Sequence, residues 1–144
     1  MTSKNAITTS ILQSKAGEYI LVGIIGGVIY FTLEVLWRGW SHISMAVCGS
    51  ICLTFFYYIE SKVSFRRLPL MFKAVVGGIF ISAIEFVAGL ILNKLLYLNI
   101  WDYSNASNNF LGQICLEMSI IWILLSFIAF LLCDIIRRNI FLRA

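Results

Sequence analysis

Charge is what this chain has least of. Asp, Glu, Lys and Arg make up 12% of it, about half of the roughly 25% usual in a soluble domain. The charge is missing in blocks, which marks membrane-spanning segments rather than a greasy soluble core. With one proline and no long polar tract, no second soluble domain is expected. No Gly-x-x-x-x-Gly-Lys-Ser/Thr phosphate loop occurs anywhere, so any coupled ATPase has to be a different polypeptide. The single histidine, His42, stands alone in a link, and Ser104 has no base at a fixed spacing. That leaves no nucleophile–base set, and the chain does not read as an enzyme. Cys48, Cys52, Cys115 and Cys133 fall in or beside apolar runs without a histidine or carboxylate cluster. They read as small packing residues, and neither a metal nor another cofactor is expected.

What is present is apolar: 60% of the residues are hydrophobic. A hydrocarbon core of roughly 30 Å needs about 20 helical residues. Four segments qualify, Tyr19–Trp37, Ile43–Ile59, Leu70–Leu92 and Gly112–Ile136. In lipid they have to be helices, because an open sheet edge would leave backbone groups unpaired. The expected fold is therefore an all-α, four-helix membrane bundle over residues 19–136. A polar tail at 1–18 and a basic tail at 137–144 flank it. The first run is too long for a removed signal peptide, so it reads as an anchor.

Basic residues orient it. With the N-terminus inside, Lys4, Lys15, Lys62, Arg66, Arg67, Lys73, Arg137, Arg138 and Arg143 lie on the inner side. Arg38 and Lys94 lie outside, nine against two. Positive-inside bias of this size predicts both termini in the cytoplasm. The net charge of +4 then serves lipid headgroups and orientation, with no nucleic-acid partner expected.

Two spans share a pattern. Ile24-Ile25-Gly26-Gly27 precedes Glu34, and Val75-Val76-Gly77-Gly78 precedes Glu85, an offset of 51 residues. This predicts a duplicated two-helix unit. A carboxylate in a membrane-length run costs several kcal/mol unless paired, so each glutamate is a functional candidate. At 1.5 Å per residue, Glu34 and Glu85 lie about 22 Å from the inner face, and Glu117 roughly 8 Å below the outer one. Those levels coincide, which predicts an acidic layer. Gly23, Gly27, Tyr30, Glu34 and Arg38 form one helical stripe; Gly78, Ser82, Glu85, Gly89 and Asn93 form another. Small residues on such stripes allow close approach and polar ones bond across it. In the fourth span, Glu117 pairs by spacing with Gln113, while Cys115, Ser119, Trp122, Ser126 and Cys133 mark a different side. Arg38, four residues after Glu34, has the spacing of a helical ion pair. One guanidinium does not neutralise three carboxylates. The remainder need protons, a cation or donors from the outer loop. Asp102 and Asn109 of that loop are within reach of the acidic layer. Either the charges form a closed structural network, or they bind a proton, cation or substrate. Glu60 and Asp134, at the inner boundary, read as ordinary interfacial ion pairs.

The outer loop carries a resemblance. Trp101-Asp102-Tyr103-Ser104, then Asn109, Gly112, Cys115-Leu116, Ser119 and Trp122, resembles the signature of the ABC-transporter type IV, or CmpB-like, membrane family of bacteria. Glu34-Val35-Leu36-Trp37-Arg38 resembles that family's first-helix element, and Glu85, Gly89 and Asn93 its third-helix element. Between Gly39 and Phe56 the chain departs from it, having only Gly39-Trp40-Ser41-His42 where relatives carry a longer segment. The resemblance implies a permease-type inner-membrane protein, with a separate ATPase or membrane subunit as partner. Four helices enclose little volume, so a homo-oligomer is expected. The competing reading is a non-transporting interaction, sensory or lysis-associated module held together by its buried charges.

Overall fold

The computed structural model describes residues 14–141. Helix α1 is Lys15–Arg38, α2 is Ile43–Glu60, α3 is the short Val63–Arg66, α4 is Leu70–Gly89 and α5 is Leu116–Ile135. α4 runs on through a π-helical turn, Leu90–Leu95, and α5 through another, Ile136–Ile140. Between them lies a small antiparallel hairpin of β1, Asn109–Phe110, and β2, Ile114–Cys115. The protein is all-α apart from that hairpin. Among the described residues four helices are long and apolar enough to cross a membrane: Lys15–Arg38, Ile43–Glu60, Leu70–Leu95 and Leu116–Ile140.

Three boundaries differ from the sequence reading. Residues 1–13 of the proposed tail lie outside the described residues, but Lys15 to Glu18 are already helical. Ser14 explains this, because its Oγ accepts from the Gly17 N–H at 3.0 Å and caps the helix. At the other end, residues 142–144 of the basic tail also lie outside the described part, and 137–140 continue a helix. The fourth helix begins at Leu116, not Gly112, because residues 109–115 pair into the hairpin. Gln113 is therefore not a helical partner of Glu117.

The chain resolves into two compact units, residues 14–58 with 132–141, and residues 59–131. In the first, α1 and α2 touch backbone to backbone. A Cβ on Gly26 would lie 2.6 Å from the Gly49 carbonyl oxygen and 2.6 Å from Leu53 Cβ; on Gly27 it would lie 2.9 Å from the Ala46 oxygen. In the second, a Cβ on Gly77 would lie 2.7 Å from Ser126 Cβ and 3.0 Å from the Phe130 ring, and one on Gly78 would strike Ile123. These are the same contacts. Adding 51 to the first-helix numbers and 77 to Ala46, Gly49 and Leu53 converts one set into the other. Burial repeats too: residues 22–28 and 73–79 have the same classes in order, as do residues 43–51 and 120–128. The two-helix repeat is thus present in the packing, with 26 extra residues (77 − 51) between the helices of the second hairpin.

Small and polar residues share the buried side with a few large ones such as Phe56 and Phe130, while Ile24, Val28, Ile79 and Leu124 are each about 60% exposed. That inversion suits lipid, where apolar side chains gain nothing by leaving the hydrocarbon and close helix contact does the packing. Two tests follow. Gly26→Ala collides with backbone and should cost about 3 kcal/mol in a micellar unfolding titration. Gly39→Ala meets nothing within 4 Å but sits at φ +80°, so it should cost only about 1 kcal/mol. Equal costs would refute the close contact. Ser126 is fully buried and its hydroxyl has no hydrogen-bond partner among the described residues. Ser126→Ala should therefore leave stability unchanged or raise it by up to about 1 kcal/mol; a large loss would show that the hydroxyl is bonded.

Candidate functional site

The two repeated glutamates are held in different ways. In the first unit, α1 ends at Gly39, whose left-handed backbone (φ 80°) lets its N–H close on Val35 O at 2.9 Å. The chain then doubles back. Ser41 Oγ donates to Glu34 Oε2 at 2.7 Å, and Arg38 Nη2 donates to the same oxygen at 2.8 Å. The Arg38 guanidinium also stacks 4.3 Å above the Trp40 ring. This ion pair is local, made by one helix end and its link.

Glu85, in the second unit, is held from a distance. Tyr103 donates its hydroxyl to Oε1 at 2.8 Å, and Trp122 donates Nε1–H to Oε2 at 2.8 Å. One donor comes from the outer loop and the other from α5. Both reach Glu85 along one seam. On α4, Gly78 faces Ile123, Ser82 Oγ donates to Ser119 Oγ at 3.1 Å, and Gly89 lies against Gln113. At the top, Asn93 Nδ2 donates to Gln113 Oε1 and to Trp101 O, both at 3.0 Å, while its Oδ1 accepts from Ile100 N at 2.7 Å. The π-helical turn at Leu90–Leu95 carries Asn93, an irregularity of the kind that recurs at functional positions. Trp101 returns a bond from Nε1 to Gln113 O at 3.0 Å. Asn93 and Gln113 are both buried, so their full pairing avoids a heavy desolvation cost.

The other candidates form the loop itself. Asn109 Nδ2 donates to Ala106 O at 2.7 Å and to Ser104 O at 3.3 Å, and its Oδ1 accepts from Gly112 N at 3.0 Å. Tyr103 N closes on Gly112 O at 2.8 Å. Gly112 has φ +68°, and a Cβ there would crowd Ser104 Oγ and Asp102 Oδ1. Asp102 is exposed and accepts from the Ser104 hydroxyl and from Ser104 N at 2.9 Å. Neither Asp102 nor Asn109 extends to the glutamates; Tyr103, between them, does. Glu117 is exposed in the first turn of α5, away from the buried side of that helix marked by Trp122, Ser126 and Cys133. Gly23 faces Thr54 across the first hairpin, one turn from Gly26.

Sequence reasoning missed several polar contacts. Tyr103 and Trp122 were visible only as signature residues, since no helical spacing links them to Glu85. Glu18, assigned to the tail, is buried and accepts from Tyr57 OH at 3.1 Å. Glu60 is ion-paired as expected, with Lys73 Nζ 2.9 Å away, but the pair is buried, and Lys73 also donates to Arg66 O at 3.0 Å. Asp134 does pair locally, with Arg137 and Arg138 at 2.9 Å each. Among the described residues no group of three His, Cys, Asp or Glu side chains is placed to hold a metal.

The loop offers a titration test. The Ser104 hydroxyl, then the Ser104 N–H, hold the Asp102 carboxyl below its ordinary value, with Lys94 adding a little. A depressed carboxylate stabilises the loop above the unfolded-state pKa of about 3.9, and that support fades as pH falls through the folded value. Carbon-13 titration should find Asp102 below the ordinary range in the wild type and moved up in Ser104→Ala. An ordinary value in both would remove the turn as the cause.

Neither a curated protein nor a solved structure matches the chain. A family model does, over residues 17–143, which takes in both hairpins, Glu34, Glu85 and the whole outer loop. This multi-pass membrane protein belongs to the family described as Putative ABC-transporter type IV.

Proposed function

We propose that the chain is a permease-like membrane component whose acidic site is centred on Glu85. The observation that carries this reading is the pair of groups on that carboxylate. Trp122 offers a donor only, whereas a tyrosine hydroxyl donates or accepts. If Glu85 takes a proton on Oε1, that proton is donated to the Tyr103 oxygen while Oε2 keeps the Trp122 bond. Both charge states are thus hydrogen-bonded in one geometry, as a group that cycles requires. Glu34 differs: Arg38 supplies the matching charge, and the pair serves to fix the end of α1.

In this reading Asn93, Asp102 and Asn109 hold the loop that carries Tyr103, Glu117 lies at the outer rim, and the ligand is a proton, a cation or a cationic substrate. The ATP-hydrolysing subunit is a separate polypeptide. Two or more copies assemble in the plasma membrane with both termini cytoplasmic. The interaction-module reading keeps one point in its favour, the completeness of the Asn93–Gln113 network, which holds helices together whether or not anything is transported.

Glutamine separates the two. Glu85→Gln imitates the protonated acid, with its oxygen toward Trp122 and its amide toward Tyr103. It should keep wild-type helicity and elution volume. The wild type's change in thermal stability between pH 5 and 9, or with added cation, should vanish in it. Glu34→Gln should lose roughly 1–3 kcal/mol at every pH, because Arg38 is stripped of its charge partner. If Glu85→Gln falls apart, or keeps the wild-type pH dependence, the acidic-site reading fails and the structural one stands.

A further inference from the structure

The seam around Glu85 limits what that carboxylate can hold. One turn inward, Ser82 Oγ donates to Ser119 Oγ at 3.1 Å. One turn outward, a Cβ on Gly89 would lie 2.5 Å from Gln113 Oε1. The side of Glu85 that faces the seam is therefore closed above and below, at places where one added methyl group is already too much. An organic cation does not fit between those layers.

The two oxygens narrow the choice further. Both accept hydrogens from neutral donors, Oε1 from the Tyr103 hydroxyl and Oε2 from Trp122 Nε1, each at 2.8 Å. A calcium or magnesium ion needs roughly six to eight oxygen ligands at about 2.0–2.6 Å. Tyr103 becomes such a ligand by turning its hydrogen away. Trp122 does not, because an indole N–H has no lone pair to offer. A metal ion bridging the carboxylate would thus meet the indole hydrogen. A proton needs one lone pair and leaves every heavy atom in place. The titratable groups facing Glu85 are the Tyr103 phenol, the Cys115 thiol of β2 and, beside that thiol, Glu117 of α5. Being neutral or acidic, they favour any positive charge alike; the hydrogen bonds discriminate.

The geometry points to a proton as the ligand of this site, with the Trp122 indole as the group that keeps metal cations out. The assignment rests on the acidic-site reading of Glu85 and narrows three ligand classes to one. In the protonated state Oε1–H is donated to the Tyr103 oxygen, and Oε2 remains as the C=O that accepts from Trp122.

Infrared difference spectra of the full chain in detergent test it, recorded between pH 5 and 9 in choline, sodium, potassium or magnesium chloride at equal ionic strength. Wild type should show a protonated-carboxyl C=O band that grows on acidification and is missing from Glu85→Gln. Its midpoint should be the same in all four salts. Trp122→Phe should move the band to higher frequency, because the C=O loses its donor. The midpoint of that variant should fall with added metal ion, by up to about one pH unit per tenfold rise. A wild-type midpoint that falls in this way overturns the proton assignment and leaves an acidic cation site. No titrating band, or one that persists in Glu85→Gln, removes the acidic site itself. A folded Trp122→Phe whose band stays in place, or whose midpoint ignores metal ions, overturns the role of the indole. If that variant does not fold, the wild-type comparison across salts decides alone.

Discussion

The structure depends on two places where helices approach closely enough for backbone to touch backbone or a β-carbon: Gly26 against Gly49, and Gly77 against Ser126. In lipid no water is released when apolar side chains meet, so helices associate through close contact and through polar bonds that the contact permits. Fixing the glycine register fixes everything above it on the same stripe. On α4 it places Ser82 opposite Ser119 and Glu85 opposite Trp122. A slip of one residue on either helix would rotate Glu85 by about 100° and carry it away from both donors.

From that shared register the two hairpins diverge at their outer ends, and the divergence is a matter of who supplies the partner for a half-buried acid. In the first, residue 38 is arginine and the acid is answered within the helix. In the second, the equivalent residue 89 is glycine, and Gln113 occupies the space that a side chain there would fill. The arginine's absence leaves Glu85 to be answered by Tyr103, which arrives on the 26-residue insertion. The loop is therefore part of the second hairpin's electrostatics and not an ornament on it. Its own geometry, from the Asn109 bonds to the left-handed Gly112, exists to deliver one hydroxyl and one pair of amide contacts to α4.

That division explains what could be read from the sequence. Spans, the glycine repeat and the Glu34–Arg38 pair were legible because each is written in helical periodicity, where residues a few positions apart must meet. Tyr103 lies 18 residues from Glu85 and Trp122 lies 37; no local rule reaches across such gaps. Gln113 was misread because Ile114, Cys115 and Leu116 continue an apolar run, and nothing in composition says that two of them pair as a strand. Glu18 was hidden by its polar neighbours, although its burial follows from an early helix start that Ser14 dictates. An ion pair at Glu60 was legible, but its burial was not: the short turn before Lys73 looks like a solvated link, yet it folds back so that Lys73 meets Arg66 O as well.

In the proposed reading, loop and acid form one site. A tyrosine hydroxyl bonded to a carboxylate responds to its protonation, since it must then accept where it had donated. Tyr103 is also tied by its backbone N–H to Gly112 O, one residue from Gln113, which bonds Asn93 on the π-helical turn of α4. In that reading a change of charge at Glu85 would pass to the irregular turn of that helix through bonds made within the second unit. The first hairpin has no such route, because its glutamate is closed off by a residue four positions away. Of the two repeated acids, Glu34 is answered by its own helix and the link after it, and Glu85 by a side chain that the loop brings from 18 residues away.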